Sequence, residues 1–336
     1  MTGGAGFIGT EVVASLLDDG ARVTILDDLS MATADWASAL GQRDGWSLVR
    51  GGVEDRSAVD RALDGCERVV HLAASTDIAG GLGRPERDFT ACVIGTQVVC
   101  TAMYHAGVRD LWYASSGVVY GSSGGRPTAV AEGDGPYRPA SHYAAAKLAG
   151  EAIISGFAHL YGWRAIAFRF GNTVGPRSDH GVVHDLVVKL LRDPTELELL
   201  GDGRQAKPYL HVRDLVAGMR HAAAAVDGPF TVLNLGPAGT VSVDTVADLV
   251  IEALGLDPAD VRRHYVGGTR DGGGWAGDTP FVAFETAAMD RLGWRPASDA
   301  ETAIREAAAA IADRYRRATL PLFTASERRE RMATVA

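Results

Sequence analysis

Short apolar runs alternate with amphipathic helical stretches along most of the chain, and nothing else in the sequence restricts the fold as much. Residues 22–26 (RVTIL), 46–51 (WSLVRG), 67–74 (ERVVHLAA), 110–121 (DLWYASSGVVYG) and 164–172 (RAIAFRFGN) read as strands. Residues 7–18, 56–63, 87–106 and 143–160 read as helices between them. Strands separated by helices of about 10–20 residues specify a parallel, doubly wound α/β sheet. In such sheets ligands gather beyond the carboxyl ends of the strands.

The first such end is glycine-rich. Gly3, Gly6 and Gly9 are spaced G-x-x-G-x-x-G just before helix 7–18. Glycines permit a tight turn and let backbone N–H groups approach a pyrophosphate at a helix N-terminus. The next strand ends at Asp27 and Asp28, where an acidic side chain can hold the two hydroxyls of an adenine ribose. An acid there also repels a 2′-phosphate, which favours NAD over NADP. The same residues would also suit a plain βα unit with a solvated acidic turn. Only Met1 and Thr2 precede the glycines, so the first strand is either very short or starts upstream.

Composition removes several classes of function. At 336 residues and 46% hydrophobic, the chain can form one large or two medium domains. Its net charge is -9, with no basic run before the last few residues, which argues against nucleic acid as a partner. Cys66, Cys92 and Cys100 fit neither a disulfide framework nor a zinc site. No apolar run of about 18 residues and no signal peptide is visible, so a soluble cytoplasmic protein is expected, without membrane association.

Residues 139–151 (PASHYAAAKLAGE) carry the chemistry. Tyr143 and Lys147 are spaced to share one helical face. An ammonium beside a phenol favours the phenolate and lowers a tyrosine pKa from about 10 toward working pH. Tyr143 is thereby a candidate general base toward a hydroxyl group. Ser116, at a strand's carboxyl end, can hold the reacting oxygen beside it. Taken singly, the pair also fits an ordinary amphipathic helix, and the serine a turn cap. No G-x-S-x-G surrounds the serine, which argues against a serine hydrolase. No H-E-x-x-H or compact His/Asp cluster suggests a metal.

In order, TGGAGFIG (2–9), LDDL (26–29), HLAAS (71–75), SSGVVYG (115–121), YAAAK (143–147) and RFGNTVGP (169–176) resemble the extended short-chain dehydrogenase/reductases. The nucleotide-sugar epimerase/dehydratase branch is the most similar, above all its UDP-hexose 4-epimerases. GDGRQAKPYLHVRDL (201–215) and NLGPAGTVSV (234–243) resemble it too, so the likeness spans about residues 2–309.

The resemblance implies a tightly held NAD and a UDP-sugar substrate oxidised transiently to a 4-keto intermediate. Tyr143 would take the hydroxyl proton, Ser116 would hold the oxygen, and Lys147 would lower the tyrosine pKa and bind the nicotinamide ribose. Cofactor contacts would fall on Gly3, Gly6, Phe7, Ile8, Gly9, Asp27, Asp28, Leu72, Ala73, Ala74, Ser115, Tyr143 and Lys147. Substrate contacts would fall on Thr76, Ser116, Asn172, Lys207, Tyr209 and Arg270. A guanidinium pairs well with phosphate, which suits Arg270. Related dehydratases and decarboxylases carry an acid just after the serine, whereas here Gly117 and Val118 follow. Without that proton donor, elimination is disfavoured and epimerisation favoured. A keto-sugar reductase of the same family and a non-catalytic dinucleotide sensor are the other readings.

The chain departs from the family pattern at Gly52, Cys92 and Lys207, where an Asp, an Asn and an Arg are usual. Lys207 offers a point charge in place of a fork. The implied layout is a cofactor domain over residues 1–172, with return segments near 207–250, and a mainly substrate-binding domain over 173–336. Helices 87–106 and 143–160 both carry apolar stripes; the resemblance implies that this pair packs across a two-fold axis in a homodimer, whereas the stripes alone would also suit helices that simply cover the sheet. The ERRER run at 327–331 reads as a frayed tail.

Overall fold

A computed structural model describes residues 1–33, 35–75, 82–121, 128–135, 137–318, 322–324 and 327. From the amino end the elements are α1 (Phe7–Asp18), β1 (Val23–Asp27), α2 (Trp36–Leu40), β2 (Trp46–Arg50), α3 (Arg56–Leu63) and β3 (Val69–His71). One helical run follows, made of α4 (Pro85–Asp88), a π-helical turn (Phe89–Ile94) and α5 (Gly95–Ala106). Next come β4 (Asp110–Ser116), α6 (His142–Tyr161), β5 (Arg164–Phe170), β6 (Asn172–Val174), α7 (Val182–Arg192) and β7 (Glu196–Leu200). The rest are β8 (Ala206–Lys207), β9 (Tyr209–His211), α8 (Val212–Ala225), β10 (Phe230–Leu235), β11 (Val241–Ser242), α9 (Val243–Ala253), β12 (Arg262–Val266), α10 (Ala287–Arg291) and α11 (Ala300–Ala318).

The parallel sheet runs β2-β1, then Thr2, then β3-β4-β5-β10. Thr2 joins the two parts through parallel bridges to Leu26 and His71. Its amide donates to the Val70 carbonyl at 3.0 Å, and Gly3 donates to Leu26 at 3.0 Å. Met1 and Thr2 therefore occupy the central strand position, and the glycine turn begins at once beyond them. The Met1 ammonium donates to the Thr24 carbonyl at 2.6 Å, and burial lowers its pKa to about 6.

Alternation along β4 and β5 divides their side chains between two cores. Trp112, Ile166 and Phe168 pack with Val12, Leu215 and Met219 on one face. Leu111, Tyr113, Ala165 and Ala167 pack with Val59, Met103 and Ile154 on the other. A third core gathers α7, α9 and α11 around Leu186, Val250 and Ile304 beside β7. β10 lies in the main sheet beside β5.

Passage between the layers is abrupt. β5 belongs to the main sheet while β6 pairs with β9, and only Gly171 separates them. β8 pairs antiparallel with β11, and only Pro208 separates it from β9. Proline cannot donate to a ladder, which explains why β8 and β9 are separate strands. The two crossing points touch. Asn172 donates its amide to the Pro208 carbonyl at 2.8 Å, and a β-carbon on Gly171 would stand 3.0 Å from that oxygen.

Some expectations are adjusted. The strand expected over 110–121 stops at Ser116, whose side chain caps a short 3₁₀ turn, Gly117–Tyr120. The helical run Pro85–Ala106 is long and apolar enough by composition to cross a membrane, contrary to the sequence reading. Val99, Cys100 and Met103 turn inward against α3 and the sheet, while Phe89, Ile94 and Tyr104 are exposed. β12 was not foreseen, because its RRHYV side chains are mostly exposed and lack an apolar alternation. Glu327, expected in a frayed tail, pairs with Arg192 at 2.6 Å. Residues 328–331 of that tail and Thr76 lie outside the described residues.

Candidate active site

The glycine turn is tight for identifiable reasons. Gly3 has φ +68°, and a β-carbon there would meet the Ala73 amide nitrogen at 2.7 Å. At Gly9 a β-carbon would stand 2.0 Å from the Gly3 carbonyl oxygen. Gly6 differs, because its β-carbon would find only that oxygen, at 3.6 Å. Gly6 is also the N-cap of α1 and makes no side-chain cap bond. The first-turn amides that follow it, those of Phe7 and Ile8, suit the phosphates of a dinucleotide.

Asp27 ends β1 beside this turn. Its carboxylate accepts from the Ala5 amide at 2.9 Å and the Leu29 amide at 2.8 Å. Burial is the main reason its pKa is raised, with Asp28 adding to it and the two amide bonds opposing. Asp28 turns to Ser30, whose amide and hydroxyl both donate to it. The carboxyl side of β1 thus lies against the same loop as the uncapped helix end. Leu72, Ala73 and Ala74 follow β3, and Ala73 donates its amide to the Thr2 hydroxyl at 3.2 Å.

The three catalytic candidates meet at the carboxyl end of β4. Ser116 is its last residue, and Ser141 caps α6 by accepting from the Ala144 amide, which begins the helix just before Tyr143. The Ser116 side chain stands near enough to the Tyr143 phenol to favour its ionised form. Lys147 lies one turn further, 1% exposed, with Nζ 5.8 Å from the Tyr143 ring centroid and donating to the Ala114 carbonyl at 2.7 Å.

The electrostatics differ from the expected lowering of the tyrosine. Burial, with Cys92 and Asp88 adding, pushes the Tyr143 phenol well above its ordinary value, and the nearby Ser116 side chain only partly opposes this. Burial also lowers the Lys147 pKa, against Cys92 and Glu151. The physical reason is desolvation, which disfavours both charged forms at once. An ammonium has three donors, so Lys147 keeps capacity beyond its bond to Ala114.

Ser115, expected among the cofactor contacts, gives its hydroxyl to Glu151 at 2.5 Å and is 2% exposed. Neighbouring strand residues face opposite ways, so Ser116 opens to the site while Ser115 points into α6. Of the substrate candidates, Asn172 stands beside the buried Tyr209 phenol and partly opposes the rise in its pKa that burial causes. Lys207 forms an ion pair with Asp278 at 2.5 Å, so its charge is already matched. Arg270 is exposed in a turn.

Sequence reasoning missed Asp278, Glu151 and Arg169. Two of these left a signal. Glu151 falls one turn after Lys147, and Arg169 is a lone charge in the apolar run RAIAFRF.

Residues 1–236 match the family described as NAD dependent epimerase/dehydratase. A UDP-glucose 4-epimerase from Mycolicibacterium smegmatis is 31% identical over 88% of this chain and 92% of its own. A dTDP-glucose 4,6-dehydratase from Streptomyces griseus is also 31% identical, over 89% of both chains. A crystal structure of UDP-galactose 4-epimerase superposes with a TM-score of 0.80 at 33% identity, covering 93% of this chain and 98% of that one. With the glycine turn, the Ser116–Tyr143–Lys147 cluster and a match over residues 1–236, the chain belongs to the NAD-dependent epimerase/dehydratase family.

Proposed function

We propose that this protein is an NAD-dependent nucleotide-sugar epimerase of the UDP-hexose 4-epimerase type, acting in the cytoplasm. One observation favours epimerisation over dehydration, although relatives of both kinds share the same identity. A β-carbon on Gly117 would stand 2.6 Å from Phe284 Cζ and 3.3 Å from Val282 Cγ1. The position after Ser116 therefore has no room for the acid that elimination of water requires.

NAD, when bound, would supply a hydride acceptor and donor for the transient oxidation of the sugar. Tyr143, as phenolate, takes the proton of the sugar hydroxyl, and the same oxygen gives it back once the ketone has turned over. Ser116 Oγ holds the reacting oxygen beside it. Lys147 must bring its remaining N–H donors and its charge to bear on Tyr143, because burial alone leaves the phenol protonated. The uncapped start of α1 and the carboxylate of Asp27 fit the phosphates and ribose of the dinucleotide.

We also propose a homodimer. Phe89, Ile94 and Tyr104 on one helical run and Leu160 and Tyr161 on α6 are all exposed. Tyr104 and Tyr161 lie against one another with ring centroids 4.6 Å apart and planes tilted by 48°, which makes the two helices' outer face continuous. A second copy covering this face would bury it.

The test uses the purified protein with nothing added. Denaturation should release NAD. Fresh protein should interconvert UDP-glucose and UDP-galactose, or their N-acetyl forms, by NMR. Tyr143→Phe should cut turnover by about 10²–10⁴-fold and leave NAD bound. A 4-keto-6-deoxy product, or turnover only with added NADH or NADPH and a keto-sugar, would overturn the epimerase reading.

A further inference from the structure

Behind the catalytic cluster lies a buried chain of polar contacts with no part in the chemistry above. Arg169, 2% exposed, forks onto Glu151, with Nη2 2.7 Å from Oε2 and Nε 3.0 Å from Oε1. The Ser115 hydroxyl donates to the same Oε1. The rings of Tyr120 and Tyr137 each lie 4.7 Å from the guanidinium carbon. Arg169 Nη1 donates to the Glu132 carbonyl at 3.1 Å, and the Glu132 carboxylate accepts from the Asn234 amide at 2.9 Å. Tyr120 closes the circuit by donating to Asn234 Oδ1 at 2.6 Å.

Stability does not account for this arrangement. Burying an ion pair costs several kcal/mol per ion, and apolar replacements are often neutral or better. The geometry does something apolar packing cannot, because hydrogen bonds fix register. Tyr143, Lys147 and Glu151 lie at successive i, i+4 positions on one stripe of α6. Ser115 and Ser116 are consecutive in β4. The bond from Ser115 to Glu151 therefore sets how far α6 can slide along β4, and through it where Tyr143 stands relative to Ser116. Arg169 locks Glu151 from β5. It also holds Glu132 and Tyr137, on the stretch that leads into α6.

We propose that the Glu151–Arg169 pair, acting through Ser115, is a positioning device that fixes helix α6 against strand β4 and so sets the Ser116–Tyr143 separation. This rests on the reading of Ser116 and Tyr143 as the catalytic pair.

The test uses NAD-loaded Ser115→Ala and Glu151→Gln. Ser115→Ala removes one hydroxyl and leaves the ion pair whole, so it keeps the test alive if Glu151→Gln fails to fold. With UDP-glucose and UDP-galactose, kcat should fall by up to about 100-fold, as a misplacement of about 1 Å can cause, with KM unchanged. Crystal structures of the same variants should show the Ser116 Oγ to Tyr143 hydroxyl separation changed or split between positions. An unchanged separation with wild-type kcat overturns the proposal, and so does a loss of activity that appears only as raised KM and lowered thermal midpoint. If the wild type turns over no UDP-sugar, the functional reading falls alone, and the crystallographic separation still decides this proposal.

Discussion

Gly117 and Phe284 are packed so that a single added carbon on the glycine would come 2.6 Å from the ring. Grafting an acid after Ser116 should therefore not produce a dehydratase. Gly117→Glu should lose about 1–3 kcal/mol of stability by overpacking, seen in urea unfolding, and form no 4-keto-6-deoxy sugar. Adding Phe284→Ala should restore part of that stability, because the ring is the obstacle.

The glycines of the first turn should separate by role. Gly9→Ala would drive a β-carbon into the Gly3 carbonyl, so a large fall in thermal midpoint and loss of NAD are expected together. Gly6→Ala has room within the protein and should keep its thermal midpoint. Its NAD affinity should fall, since the added methyl intrudes where phosphates approach. Calorimetric titration with NAD on stripped protein distinguishes the two.

His71 should make stability acid-sensitive. It is fully buried, with Nδ1 2.7 Å from the Thr2 hydroxyl and Nε2 3.0 Å from that of Thr96. Burial first, then the charges of Lys147 and the N-terminal ammonium, lower its pKa from 6.5 to about 3. The unfolded chain therefore binds the proton first as pH falls. Stability present above about pH 6.5 is lost progressively toward pH 3, on the order of 5 kcal/mol at about 1.4 kcal/mol per unit. Urea midpoints between pH 7 and 4 should show this slope, and His71→Gln should flatten it.

The exposed helical face should govern assembly. Ile94→Glu, at a residue 41% exposed, places a charge in the proposed interface and should convert the dimer to a monomer of about 35 kDa in sedimentation. A wild-type protein that is already monomeric at working concentration removes the dimer from the account. Co-sedimentation of that monomer with lipid vesicles would assign the face to a membrane instead.

The candidate Tyr143–Lys147 pair and the glycine turn could be proposed from the chain because each is local. Tyr143 and Lys147 are one helical turn apart, and the glycines and Asp27 flank a single βα unit. The contacts that tune the site could not be read in the same way. Arg169 meets Glu151 across 18 residues and Lys207 meets Asp278 across 71, and no period in the sequence joins them. The expected lowering of Tyr143 failed for a related reason. Spacing reports the neighbouring ammonium, but the desolvation that opposes it comes from elements far along the chain. The place of Thr2 was hard to judge because Met1 and Thr2 carry too few residues to show a period, and it is fixed by Leu26 and His71 on either side.

Gly171 and Pro208 give the molecule its mechanical character. The chain changes sheets at each with no spare residue, and the two points are bonded to one another. A hinge needs slack backbone that can absorb large changes of φ and ψ, and a proline braced against a glycine has none. The two layers should behave as one casting, gripping a ligand by the settling of surface loops and not by the shutting of a jaw.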